Sequence, residues 1–150
     1  MQYIFLISFK GIKMSTIKLT WNDIHQALHN LTNEVDLKNF DCIITPNRGG
    51  LIITGMLQYT QRVKLPVYVI NDYDIINIQN HKKVLFLDDI NDTSKTIFKI
   101  QKVFNGLITF KTLFERYNSP FKTETINIIL NDVWLIFPWD INPEVLNLRK

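Results

Sequence analysis

The sequence predicts an α/β fold, a mainly parallel sheet flanked by helices in one domain, and three observations carry that reading. Three short runs, Asp41-Cys42-Ile43-Ile44-Thr45, Pro66-Val67-Tyr68-Val69-Ile70 and Lys83-Val84-Leu85-Phe86-Leu87, are apolar and rich in β-branched residues, as buried strands are. Helical patterns alternate with them, which makes successive strands parallel. The 150 residues, 46% hydrophobic and 21% charged, suit a single hydrophobic core.

In chain order, Tyr3 to Phe9 is apolar but too short to span a bilayer, and no positive residue precedes it as in a signal peptide. Met14 opens what reads as a second start, so residues 1–13 are expected to be an extension outside the core fold. Asn22 or Asp23 is expected to cap a helix through Ile24, Leu28 and Leu31, which share one face. Pro46 ends the first strand, Asn47-Arg48-Gly49-Gly50 follows, and Leu51 to Gln61 reads as a helix. A helix from about Ser94 to Phe104, a strand at Leu107 to Phe114 and a last strand at Val133 to Ile136 complete the order. Ligands of such sheets bind beyond the C-terminal ends of the strands, so chemistry is sought at the strand-to-loop junctions.

Composition removes several classes of function. The 17 Lys and Arg against 14 Asp and Glu give a net charge of +3, scattered along the chain, which argues against a nucleic-acid-binding module. The single cysteine, Cys42, lies in an apolar run where a small buried hydrophobe is expected, and a reducing cytoplasm fits a chain without a disulfide. His25 and His29 are four apart on one helix, yet no Glu or Cys completes a metal set; with His81 they read as surface or packing residues. Walker, Gly-x-Ser-x-Gly and Cys-x-x-Cys patterns are absent from the sequence.

The most informative segment is Val84 to Thr96. An apolar strand delivers Asp88 and Asp89 to the edge of the sheet, and Asp92 follows in a polar turn that opens a helix. Crowded carboxylates are unfavourable unless a cation or a hydroxyl-rich ligand offsets them. Thr93, Ser94, Lys95 and Thr96 place hydroxyls and an ammonium around a helix N-terminus, whose free N–H groups favour an anion such as phosphate. A capped helix after a strand would use one of these polar residues. Carboxylates for a sugar diol or Mg²⁺ beside a phosphate cradle describe a site for a phosphorylated sugar.

This segment resembles the phosphoribosyl-pyrophosphate (PRPP) motif of the type I phosphoribosyltransferases, an apolar strand, two acids, two residues and then Asp-Thr-Gly-x-Thr, with Ser94 at the usual glycine. The resemblance implies that Asp88, Asp89, Asp92, Thr93, Ser94, Lys95 and Thr96 bind the ribose and 5-phosphate, and that Asp89 takes part in holding Mg²⁺. Ser94 replaces a residue free to adopt positive φ, so a tighter turn is expected there.

Two further segments extend it. Arg48-Gly49-Gly50 at a strand-to-helix junction lets backbone N–H groups approach an anion while a guanidinium binds it, although a plain glycine-containing turn would read the same way. In the family a similar loop holds pyrophosphate, often after a cis peptide, which here implies Arg48 and Gly49 as ligands and a cis Asn47-Arg48 bond. Asp132-Val133-Trp134-Leu135-Ile136-Phe137-Pro138-Trp139-Asp140 is similar to the C-terminal segment of bacterial xanthine-guanine phosphoribosyltransferases. Trp134 would then stack on the purine and the Leu135 backbone read its edge. Arg116 stands where those enzymes carry a lysine directed at the purine 6-oxo group, and arginine is longer and planar.

The resemblance covers about residues 15 to 141 and implies a type I phosphoribosyltransferase fold with a small C-terminal hood. The implied reaction is Mg²⁺-dependent transfer of ribose 5-phosphate from PRPP to an oxopurine, with Asp92 as the proton-transfer residue and a homo-oligomer as the usual assembly. One departure stands out. The family's long lid loop with a Ser-Tyr pair is replaced by Asn71-Asp72-Tyr73-Asp74, only nine residues before Val84. A short lid leaves a reactive sugar cation exposed to water, so a non-catalytic relative that binds PRPP or nucleotides to regulate is the competing expectation.

Overall fold

The computed structural model describes residues 15–70, 78 and 80–140. The expectations for residues 1–13 and for the lid around Tyr73 lie outside the described residues. Strand β1 (Ser15–Lys18) leads into helix α1 (Trp21–Glu34). Thr20, not Asn22 or Asp23, caps α1: its hydroxyl accepts from the Asp23 N–H at 3.2 Å, and the Asp23 carboxylate accepts the Thr20 N–H at 2.7 Å. This reciprocal pair satisfies two orphan groups at once, so the helix starts earlier than a single cap at Asn22 or Asp23 would place it.

After a short 3₁₀ turn (Leu37–Asn39) come β2 (Cys42–Pro46), α2 (Gly49–Gln61), β3 (Val67–Ile70), β4 (Lys83–Asn91), α3 (Lys95–Val103), β5 (Leu107–Arg116), β6 (Ile128–Ile129) and β7 (Val133–Ile136). Five strands form one sheet in the order β3-β2-β4-β5-β6, every pair parallel. Strands β1 and β7 form a separate parallel pair, Ser15 opposite Val133 and Ile17 opposite Leu135, and make the small hood.

The central strands alternate between two apolar faces. Ile43, Leu85, Leu87 and Leu113 pack beneath α1, α2 and the hood with Ile24, Leu28, Ile53 and Val133, while Cys42, Ile44, Val84, Phe86 and Phe110 pack on the opposite face with Ile97 and Ile100 of α3. A strand buried on both faces reads as a continuous apolar run, which is why these runs were legible. Cys42 is fully buried, and burial pushes its thiol up to about 11, the state of an inert packing residue.

Three elements exceed their sequence reading. β4 continues past Leu87 to Asn91 and β5 past Phe114 to Arg116, because β4 and β5 pair as far as Asn91 and Glu115, Arg116 pairs with Ile129 of β6, and the ladders carry polar residues that composition alone places in loops. The two-residue strand β6 has too little sequence to announce itself.

Candidate active site

β4 extends through the acid pair, so Asp88 and Asp89 sit on a strand rather than in a loop, and Asp88 lies opposite Thr112 of β5. Adjacent strand residues point to opposite faces, yet one Asp88 oxygen turns back to accept the Asp89 N–H at 2.8 Å. Burial, reinforced by the Asp89 charge, holds the Asp88 carboxyl well above the usual carboxylate range. Asp89 is also pushed up by burial, and the Asp140 carboxylate adds in the same direction. Two desolvated carboxyls share a charge they cannot both carry.

Against this pair lies the turn between β2 and α2. The Asn47-Arg48 peptide is cis, as the resemblance implied. Arg48 is exposed at the N-terminal cap of α2, with no side-chain cap of its own. A Cβ on Gly49 would overlap the Asp89 Oδ2, and one on Gly50 would overlap the Thr45 hydroxyl and come within 2.9 Å of the Leu87 carbonyl. Both glycines are therefore required by close packing against the acid strand. α2 begins at Gly49, not Leu51, since the glycines are its first turn.

Beyond Asn91 the chain turns at Asp92 and Thr93 into α3. Ser94 occupies the left-handed region, φ 57°, so the serine adopts the conformation the glycine would have supplied. Its hydroxyl donates to Asn91 Oδ1 at 3.0 Å and accepts the Phe121 N–H at 3.1 Å, two bonds a glycine could not make. Ser94 is thus a buried anchor, and no side chain caps the α3 N-terminus, leaving its N–H groups open. Asp92, Thr93 and Lys95 are exposed around it. With Asp88, Ser94 and Thr96 they line one cavity of about 150 Å³. The predicted ribose 5-phosphate residues are brought together, apart from Asp89, which faces the glycine turn.

The hood places Trp134 and Leu135 on β7, Trp134 53% exposed and Leu135 buried. Arg116 ends β5 and is itself buried. Its Nε donates to Asp92 Oδ1 at 2.8 Å, and its Nη1 donates to the carbonyls of Leu130 at 3.0 Å and Val133 at 2.6 Å. Two faces of the guanidinium are occupied by the protein, which distinguishes it from a free lysine aimed at a base.

Several residues here were not legible as site residues. Asp140 accepts the Phe137 N–H at 2.9 Å and adds a third carboxylate near the acid pair; its only signal was its place after Pro138-Trp139. Glu115, fully buried, accepts from the Thr123 N–H and hydroxyl and holds the loop that carries Phe121. Among the described residues no group of three His, Cys, Asp or Glu is arranged as a metal cage. His81 bonds the Tyr68 hydroxyl at 3.1 Å, and His25 lies against Trp21, so both serve packing.

A parallel sheet with an acid strand, a glycine turn after a cis peptide and an open helix N-terminus at its C-terminal edge defines the class: the fold is that of the type I phosphoribosyltransferases. The xanthine-guanine-hypoxanthine phosphoribosyltransferase of Helicobacter pylori superposes with a TM-score of 0.71 at 18% identity, covering 91% of this chain and 99% of its own. The purine phosphoribosyltransferase of Pyrococcus horikoshii superposes at 0.63 with 23% identity, covering 85% and 96%. A curated relative, the xanthine-guanine phosphoribosyltransferase of Chromohalobacter salexigens, is 23% identical over 134 residues, 82% of this chain and 83% of that one. No family model matches the chain. The resemblance read from the motifs, toward the bacterial xanthine-guanine enzymes, is borne out by these matches.

Proposed function

We propose that the protein is a purine phosphoribosyltransferase, joining ribose 5-phosphate from PRPP to an oxopurine (guanine, xanthine or hypoxanthine) with release of pyrophosphate. One observation carries the reading: the acid pair of β4 is packed against the Arg48-Gly49 turn and runs directly into the open N-terminus of α3. Phosphate binds the Thr93–Thr96 amides and Lys95, and pyrophosphate binds the Arg48-Gly49 turn. Asp88 and Asp89 bind the ribose hydroxyls between these two anion sites. As C1′ loses pyrophosphate and gains the purine nitrogen, positive charge grows on the sugar, and the carboxylates stabilise it. Asp92 exchanges the purine N7 proton, while Trp134 stacks on the ring, the Leu135 backbone reads its edge, and Arg116 takes the lysine's place beside the 6-oxo group.

The donor set fits Mg²⁺. Hard carboxylate oxygens pushed toward protonation by burial and mutual repulsion gain from a divalent cation, and Asp89, with Asp140 nearby, is the residue to hold it. Bound there, the metal would neutralise charge on the departing pyrophosphate. Among the described residues no helix is long and apolar enough to cross a membrane. By the family resemblance, a cytoplasmic homo-oligomer is the setting we infer.

One observation favours the regulatory alternative, a non-catalytic PRPP- or nucleotide-binding member of the fold: Asp92 is already paired with Arg116. Incubation with PRPP, Mg²⁺ and each purine, following nucleoside monophosphate by absorbance, separates the two. Product with any oxopurine supports the enzyme; saturable PRPP binding without product from any purine supports the alternative.

A further inference from the structure

Arg116 stands at a junction that the base-reading role does not account for. Its guanidinium is a rigid planar fork. The Nε edge engages Asp92, on the loop after β4, and Nη1 engages the carbonyls of Leu130 and Val133, the latter at 2.6 Å and directly before Trp134. The Arg116 side chain is only 10% exposed while that of Asp92 is 49% exposed, so an anchored cation holds a solvent-facing carboxylate rather than the reverse. The Arg116 backbone carbonyl closes a local turn by accepting the Ser119 N–H at 3.0 Å. The acid loop and the hood strand therefore meet through one side chain. We propose that Arg116 is a positioning residue, which couples the placement of the base-facing strand β7 to the orientation of the Asp92 carboxylate.

Movement of β7 toward a base pulls on the Val133 carbonyl, and because the fork is rigid the Nε–H rotates with it and turns Asp92. An ammonium on a flexible stem makes single-point contacts and transmits no such rotation. Arg116→Lys, which restores the residue type of the similar enzymes, is thus expected to be harmful here. A residue that only donates to a purine carbonyl would tolerate it.

The catalytic consequence rests on the transferase reading, whereas the coupling itself does not, and the experiment has an arm for each. Backbone hydrogen exchange of residues 133–136 is measured in the unliganded wild type, Asp92→Ala, Arg116→Lys and the double variant. Loss of the exposed Asp92 carboxylate is expected to speed exchange in the hood by about fivefold, and to add no further increase when Arg116 is already lysine, the non-additivity of residues in one network. Unchanged exchange in Asp92→Ala, or effects that add, would overturn the coupling, and Asp92→Ala alone decides the matter if Arg116→Lys does not fold. In the second arm, turnover of guanine by Arg116→Lys is expected to fall by about tenfold or more in kcat with PRPP affinity within threefold, as misplacement of a reacting group does. Wild-type turnover in Arg116→Lys would overturn the positioning role. Absence of transfer by the wild type would instead defeat the transferase reading and leave the exchange arm to judge the coupling.

Discussion

Gly49 and Asp89 are in such close contact that any side chain at position 49 would overlap the carboxylate. The anion turn of α2 and the acid strand are one packed unit, and an added methyl group would force them apart. Gly49→Ala is expected to lower PRPP affinity by about 10²-fold by displacing Asp89, the range of a lost charged hydrogen-bonding group. Gly55→Ala, on the same helix with nothing within 4 Å of its added Cβ, is the control: it should stabilise the fold by up to about 1 kcal/mol and leave binding unchanged. Calorimetric titration with PRPP and Mg²⁺ reads the first effect and denaturant unfolding the second.

Asp92→Asn separates binding from chemistry. The asparagine keeps an oxygen for the Arg116 Nε–H but cannot carry a proton between substrates. PRPP affinity should stay within about tenfold while kcat falls by about 10² or more, the usual worth of a general acid or base. Steady-state kinetics with guanine check this, and unchanged turnover removes Asp92 from the mechanism.

The raised Asp88 has a consequence for stability with a definite sign. Below the ordinary carboxylate pKa of about 4 the group is neutral in both the folded and unfolded chain, and its contribution to stability is fully present. As pH rises through the elevated folded value, that contribution is lost, because the folded chain holds the proton more tightly than the unfolded one. Asp88→Asn should therefore flatten this loss and raise Tm near neutral pH by about 2–4 °C, the shift of roughly 1 kcal/mol in a domain of this size. Magnesium should raise the wild-type Tm more than that of the variant. Melting curves from pH 4 to 8, with Mg²⁺ or chelator, read both; a wild-type Tm that climbs steadily over this range in chelator would contradict the assignment.

Ser94 sets a backbone cost against two hydrogen bonds. Ser94→Ala keeps the left-handed backbone with a Cβ and strips Asn91 Oδ1 and the Phe121 N–H of their partner, so it is expected to cost about 2 kcal/mol. Ser94→Gly loses the same bonds but relieves the positive φ and should be milder by about 1 kcal/mol. Urea unfolding of both variants tests the ordering, and an alanine variant as stable as wild type would mean that the hydroxyl anchors nothing.

Much of this molecule is determined locally. Runs such as Cys42 to Ile44 and Val84 to Leu87 are apolar on both faces, and a chain segment of that kind has few places to go except the middle of a covered sheet. The acid pair, the glycine turn and the hydroxyl-rich turn are contiguous stretches, so their order and chemistry can be read without coordinates. Tertiary structure alone decided what depends on residues far apart in the chain. Nothing near Ser94 reveals that its hydroxyl receives the amide of Phe121, nothing near Gly49 names Asp89 as the group that excludes a side chain, and nothing near Arg116 shows that its fork is divided between Asp92 and Val133. Each is a contact across a loop closed by the packing of the sheet. A buried polar group takes whichever partner that packing brings within 3 Å, which no local pattern encodes.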